Sequence, residues 1–149
     1  MSAFDTREID GLFLRLRGFT TAIKRPAGMM RGIAHGLEAQ TVHRLHYEKT
    51  APDGTPWRPW SLAYAATRDP SRHSLLKDTW AMVEGIDSKS TGVSATVFSR
   101  RPYAGAHQDS QRAWLPSRPF LGLSAGNVRD LQEWLAPALE QMYVESVGA

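Results

Sequence analysis

Apolar residues recur at helical spacing through the first fifty positions. Ile9, Leu12, Phe13 and Leu16 fall three and four apart, which predicts one amphipathic stripe. Gly18 and the Thr20-Thr21 pair weaken that stripe, and Lys24-Arg25-Pro26-Ala27-Gly28 reads as a break. A second helix is predicted from Met29 or Met30 to about Tyr47, with Met30, Ile33, Ala34, Leu37, Thr41 and Leu45 on its apolar face. Two helices are preferred to one kinked at Pro26, because a proline inside a helix costs about 3 kcal/mol.

The pattern then changes. Ala51-Pro-Asp-Gly-Thr-Pro-Trp57-Arg-Pro-Trp60 is turn chemistry followed by two X-Pro steps. Proline presets φ, Asp53 bonds its own backbone and Gly54 accepts positive φ, so Trp57 and Trp60 sit on a constrained loop. They either plug the edge of the core or anchor a partner. Residues 61–74 are polar and read as an exposed loop, after which Asp78 or Thr79 is placed to cap a short helical turn. Met82–Asp87 and Gly92–Phe98 predict a β-hairpin, the second run by its period-two alternation and Asp87–Gly92 as the polar link. The last helix is the clearest: Ser124 as N-cap, then Val128, Leu131, Leu135, Leu139 and Met142 in a stripe with Trp134 beside it. Asn127 replaces the Glu or Gln of a full capping box, Pro137 predicts a kink or an early stop, and Glu145–Ala149 a frayed tail. The predicted fold is a single α+β domain over 1–149. It has N-terminal helices (1–50), a loop and β-hairpin region giving a small antiparallel sheet (51–123), and a C-terminal helix (124–145) packed on the sheet.

Composition agrees with an ordinary globular domain: 149 residues, 42% hydrophobic, 22% charged. With no cysteine, disulfides and thiolate metal sites are excluded. The chain starts without a basic, then apolar, leader and has no 18-residue apolar run, so neither a signal peptide nor a membrane partner is expected. The net charge of +3 is uneven: residues 124–149 carry one Lys/Arg against four Asp/Glu, while the remainder is basic. Arg15-Leu-Arg17, Lys24-Arg25 and Arg100-Arg101 are short basic groups without a nucleic-acid signature, so sequence-specific reading of DNA is not expected.

Candidate chemistry is sparse. There is no Gly-x-Ser-x-Gly elbow and no phosphate-binding Gly-x-x-x-x-Gly-Lys-Ser/Thr. His43 and His46 share a helix face but lack the carboxylate of a zincin, so they read as surface or interface histidines. His107, between Tyr103 and Gln108, is better explained by a structural hydrogen bond than by catalysis. The expectation is therefore no enzyme, no cofactor, no metal and no catalytic residue. In Pro116-Ser-Arg-Pro-Phe-Leu-Gly122 two prolines stiffen the chain around Arg118. That guanidinium either faces a partner, so that Arg118→Ala weakens assembly but not folding, or braces the monomer through a carboxylate such as Asp130.

Taken together, these stretches resemble the phage virion morphogenesis family, the tail-completion proteins of tailed bacteriophages including Mu-like phages. The resemblance covers about residues 5–145. It rests on Pro52, Gly54, Trp57 and Pro59, with Trp60 next to them; Leu76 with Asp78-Thr79; Tyr103, Ala104, His107 and Gln108; and Arg118, Pro119, Phe120, Leu121 and Gly122. The joint order of the blocks carries it. Two positions depart from the family pattern: Trp80 stands where glycine is common after the leucine-led segment, and Ser110 where glycine follows the His-Gln pair. The resemblance implies a structural role in the virion, at the head–tail junction, after assembly in the host cytoplasm. It implies a homo-oligomeric ring, six-fold by analogy, that completes the head-proximal end of the tail. Its partners are then itself, neighbouring tail-tube or sheath proteins, head-completion (neck) proteins, and phage DNA passing through the lumen. The same motif residues, apart from Leu76 and Asp78-Thr79, are its interface candidates. Rivals are a tail-assembly factor absent from the finished particle and a small non-specific DNA-binding protein.

Overall fold

The computed structural model describes residues 27–77 and 79–148. The predicted stripe from Ile9 to Leu16, the Lys24–Pro26 part of the break, and Asp78 lie outside the described residues. Helix α1 spans Ala27–His43 and runs on as a π-helical turn over Arg44–Glu48. Ala27 and Gly28 are thus helical, earlier than the predicted start. Lys49 ends the turn in the left-handed region at φ 57°, its N–H donating to the Arg44 carbonyl at 3.0 Å. Thr41 is buried on α1 because its hydroxyl donates to the Leu37 carbonyl of its own helix at 2.8 Å.

Two short helices follow, α2 over Leu62–Ala65 and α3 over Ala81–Glu84. The first falls inside the predicted loop, where the Ser61 hydroxyl accepts the Tyr64 N–H at 3.3 Å. At the second the N-cap is Trp80, without a side-chain cap, so Thr79 does not take the capping role expected of Asp78 or Thr79. The hairpin is real but displaced. Strand β1 is Ile86–Ser90 and β2 is Ala95–Ser99, antiparallel, with Ile86 opposite Ser99 and Ser90 opposite Ala95. Met82–Glu84, predicted as strand, is taken up by α3, and most of the predicted polar link is β1. A two-stranded sheet with one face in solvent tolerates Asp87, Ser88 and Lys89, so polarity there does not mark a turn. The turn is Thr91–Ser94, closed by the Thr91 N–H on the Ser94 carbonyl at 2.8 Å. Helix α4 is Ala104–Gln108 and α5 is Ala125–Val147.

Helix α5 corrects two expectations. It continues through Pro137 and is helical to Val147, so neither an early stop nor a frayed end at Glu145 is seen. Proline removes one hydrogen bond, to the carbonyl of exposed Glu133, which water can take. Its packing partner also differs. It is α1 that covers the hairpin, and α5 packs along α1 rather than on the sheet. The reason lies in two α1 glycines: a Cβ on Gly32 would stand 2.1 Å from the Trp134 ring, and one on Gly36 would stand 3.1 Å from Leu131. The side chains of α5 occupy the space that those missing Cβ atoms leave.

The architecture is α+β. Its core unites Leu45, Trp57, Met82, Ile86, Ala104 and Phe120, with Val42, Leu75, Leu76, Val83, Val97 and Leu121 packed around them. Helix α1, the tryptophan loop, α3, both strands, α4 and the 116–122 strap all contribute, whereas α2 does not, so the strap and the tryptophan loop are parts of the core.

Candidate functional site

The blocks singled out in the sequence converge on one region. The Trp57 indole Nε1 donates to the Pro119 carbonyl at 2.8 Å, which pins the tryptophan loop to the strap. Trp57 is buried, so it plugs the core, while Trp60 is half-buried and stacks edge-on to Tyr64 at 5.7 Å. Gln108 clamps the strap with its whole amide. Its Oε1 accepts the Phe120 and Leu121 N–H groups, both at 3.0 Å, and its Nε2 donates to the Leu121 carbonyl at 2.9 Å. Beside it the Arg118 N–H donates to the His107 carbonyl at 2.7 Å. Gln108 thereby supplies the strap with the partners of a sheet neighbour, from a side chain.

Two glycines close the region. Gly54 turns the loop at φ 87°, a conformation that side-chain-bearing residues rarely adopt. Gly122 ends the strap at φ 148°, and a Cβ there would stand 2.7 Å from Pro52 Cγ. Pro52 and Gly122, seventy residues apart in sequence, are therefore in contact because one of them has no side chain.

Arg118 faces inward. It is 6% exposed; Nε donates to the Arg58 carbonyl at 3.0 Å, and Nη2 lies 3.5 Å from the Pro59 carbonyl. Of its two readings the geometry is that of an intramolecular brace, made to backbone carbonyls of the tryptophan loop and not to Asp130. Burial lowers the Arg118 pKa, Tyr64 raises it and Arg58 lowers it. Phe120 is wholly buried, and Ala104, at the start of α4, is buried against the same core. Pro59 and Tyr103 are exposed, and Leu121 is half-buried.

Sequence reasoning missed the residue that ties this region to the helices. Arg44, 1% exposed, donates from Nη1 to the carbonyls of Phe120 at 2.7 Å and Gly122 at 3.0 Å, and from Nη2 to Asn127 Oδ1. Asn127 Oδ1 also accepts the Ser124 N–H at 3.2 Å, while the Ser124 hydroxyl accepts the Asn127 N–H at 2.9 Å. The capping box is complete, with Asn in the place expected of Glu or Gln. A signal was present: Arg44 stands three after Thr41 and seven after Leu37, on the apolar stripe itself. Burial lowers the Arg44 pKa, and Glu48, 3.9 Å from Nε, raises it.

The histidines do not gather. His43 bonds Glu48 at 3.2 Å, whereas His46 stacks on Tyr47 at 4.1 Å and Trp80 at 4.7 Å. Desolvation, then Lys77, Lys49 and His43, lower the His46 pKa. Desolvation and Arg118 lower that of half-buried His107. His107 contributes its backbone carbonyl to Arg118, and its ring meets Tyr103 edge-on at 6.4 Å. Among the described residues no three His, Cys, Asp or Glu side chains are grouped to hold a metal ion.

Next to the stitched region lies an open groove of about 980 Å³. Arg118 forms part of its floor, and Arg58, Arg68 and Lys77 stand around it with Trp60, Tyr64, Tyr103 and Trp114. Of the two positions that depart from the family pattern, Trp80 meets a groove residue and Ser110 is settled within its own turn. Trp80 carries Lys77 Nζ over its ring at 4.1 Å, and the Ser110 hydroxyl accepts the Arg112 N–H at 3.3 Å, closing its turn without glycine.

A family model described as the phage virion morphogenesis family matches residues 5–140. The chain belongs to that family. No curated protein and no solved structure is matched. Membership makes the chain a phage protein of virion morphogenesis. The match spans every stitched block, from Pro52 to the Ser124–Asn127 cap. No helix among the described residues is long and apolar enough to cross a membrane.

Proposed function

We propose that this chain is a structural tail-completion protein, which closes the head-proximal end of the phage tail and makes it competent to join the filled head. Membership of the virion morphogenesis family is the observation that carries this reading. The geometry supports it. The polar residues of the family blocks, Trp57, Gln108 and Arg118, are spent on holding the chain's own backbone, and none is poised on an open reacting centre. The role assigned is one of shape, with no catalytic step and no cofactor. In the particle the protein acts as a homo-oligomeric ring around the DNA path. Each copy presents one patch to a different patch on its neighbour, which is how rotation closes a ring. Tail-tube or sheath proteins lie on one side, neck proteins on the other, and DNA crosses the lumen without sequence-specific contacts.

Removing the gene from its phage tests this reading. Filled heads and tails are expected to accumulate unjoined, with the chain detected by mass spectrometry in complete wild-type particles. Joined particles in its absence would contradict the role. Its absence from complete wild-type particles would assign it instead to assembly alone.

A further inference from the structure

We propose that the aromatic and basic groove receives the C-terminal end of α5 from a second copy of this chain. The proposal deepens the ring reading, on which it rests, by naming the two patches. The groove is lined by Arg58, Arg68 and Lys77 together with Trp60, Tyr64 and Trp114, Arg68 lying over the Tyr64 ring and Lys77 over that of Trp80, and among its described lining residues there is no Asp or Glu. A surface of that kind fits an acidic segment carrying apolar side chains. Trp114 is 73% exposed, with the Arg112 guanidinium 5.4 Å from its ring centroid.

The chain carries one such segment. Helix α5 lies antiparallel to α1: Gln40 bonds the Asn127 carbonyl at 3.2 Å, Gly36 meets Leu131 and Gly32 meets Trp134. By that register Ala27, the first described residue, comes level with about Leu139. The stretch from Glu140 to Val147 therefore extends past the described part of α1. It bears Glu140 and Glu145 and no Lys or Arg, and Val144 and Val147 are 61% and 62% exposed. Two turns of helix about 10 Å across occupy roughly 850 Å³, which matches the groove in size. Charge is complementary, since the segment is acidic and the described groove is basic, and such pairs set register and partner choice. Because groove and helix end are different surfaces, each bound copy leaves one of each free, so the contact propagates around a ring.

The chain's lack of cysteine makes disulfide trapping clean. Leu62, 92% exposed at the groove, and Val147 are replaced together, as Leu62→Cys with Val147→Cys, in the full-length protein. Under mild oxidation this double variant is expected to give a ladder of dimer, trimer and higher species on a non-reducing gel. Each single variant stops at dimer. Arg58→Glu with Lys77→Glu, added to that background, is expected to cut the laddered fraction at least ten-fold, and Glu140→Arg with Glu145→Arg in the same chain to restore it. Circular dichroism confirms that each variant is folded before it is scored. A double variant that goes no further than the single variants overturns the contact. If light scattering still finds wild-type oligomers, the ring reading survives that failure. A ladder indifferent to both charge reversals also overturns the proposal. So does oligo-dT quenching groove tryptophan fluorescence in a protein that forms no ladder, which would assign the groove to nucleic acid.

Discussion

Replacing Arg44 by methionine keeps the volume of a long, flexible side chain and removes the guanidinium. Three acceptors lose a charged donor: the Phe120 carbonyl, the Gly122 carbonyl and Asn127 Oδ1. Their fates differ. Gly122 is exposed and its carbonyl turns to water, while Asn127 Oδ1 keeps the Ser124 N–H. Phe120 is wholly buried, and its carbonyl is left without that donor. A hydrogen bond to a charged group contributes about 1.5–3 kcal/mol, and an orphaned buried acceptor costs about 1–3 kcal/mol. Against these stands the desolvation of the guanidinium, which methionine no longer suffers. The net expectation is a loss of about 2–4 kcal/mol, a large part of the 5–15 kcal/mol typical of a domain. For a chain of this length that lowers the melting temperature by roughly 4–16 °C. Urea unfolding followed by tryptophan fluorescence measures it, with Arg44→Lys falling between wild type and Arg44→Met because it keeps the charge without the fork. A change below about 0.5 kcal/mol, or a gain, would refute the view that Arg44 joins the strap to the helices.

Other perturbations test neighbouring parts of the same region. Arg118→Ala is expected to lower stability by about 2–3 kcal/mol, since buried Arg118 holds the Arg58 and Pro59 carbonyls; thermal melts check this, and an unchanged melting temperature would return Arg118 to the interface. Gly54→Ala is expected to cost about 1–2 kcal/mol for its positive φ alone, because space around it is open. Gly122→Ala adds the clash with Pro52 and should cost at least 1 kcal/mol more by the same denaturant titration. Lys49 gives the pH prediction. Burial and Lys77 push its pKa down to about 8 although it donates to the Leu75 carbonyl. The folded state therefore binds its proton more weakly than the unfolded chain does. Its contribution is most favourable above the ordinary value of 10.5, and is lost as pH falls toward 8. Stability should rise over that interval, and Lys49→Met should flatten the rise in urea midpoints measured from pH 7.5 to 10.5.

Much of the frame was legible because it rests on local rules. The α1 stripe, the Pro-Asp-Gly turn and the Ser124 cap each follow from the preferences of a few adjacent residues. The errors came where tertiary structure outweighs local pattern. Ala95 and Val97 alternate in β2 as expected, but Val93 falls in the turn and the partner strand is the polar run Asp87-Ser-Lys-Ser90, whose polarity is tolerated on a solvent-facing sheet. Pro137 breaks a helix in isolation, yet just before it α5 is held along α1 by Leu131 and Trp134. The candidate site was legible as a set of residues and not as a geometry. The bonds of Gln108, Trp57 and Arg118 to backbone groups 12 to 62 residues away depend on chain topology, which no short motif encodes. Arg44 was visible only as a charge on an apolar stripe, and the acidic end of α5 only as an uneven charge.

The proposed role makes this family member a structural part of the tail's head-proximal end. Imaging the head–tail junction of complete particles by cryo-electron microscopy tests it most directly. A closed ring of this chain is expected between tail and neck, with the C-terminal end of α5 from each copy seated in its neighbour's groove and DNA in the lumen. A junction reconstructed at side-chain detail and fully accounted for by other proteins, with this chain absent, would contradict it.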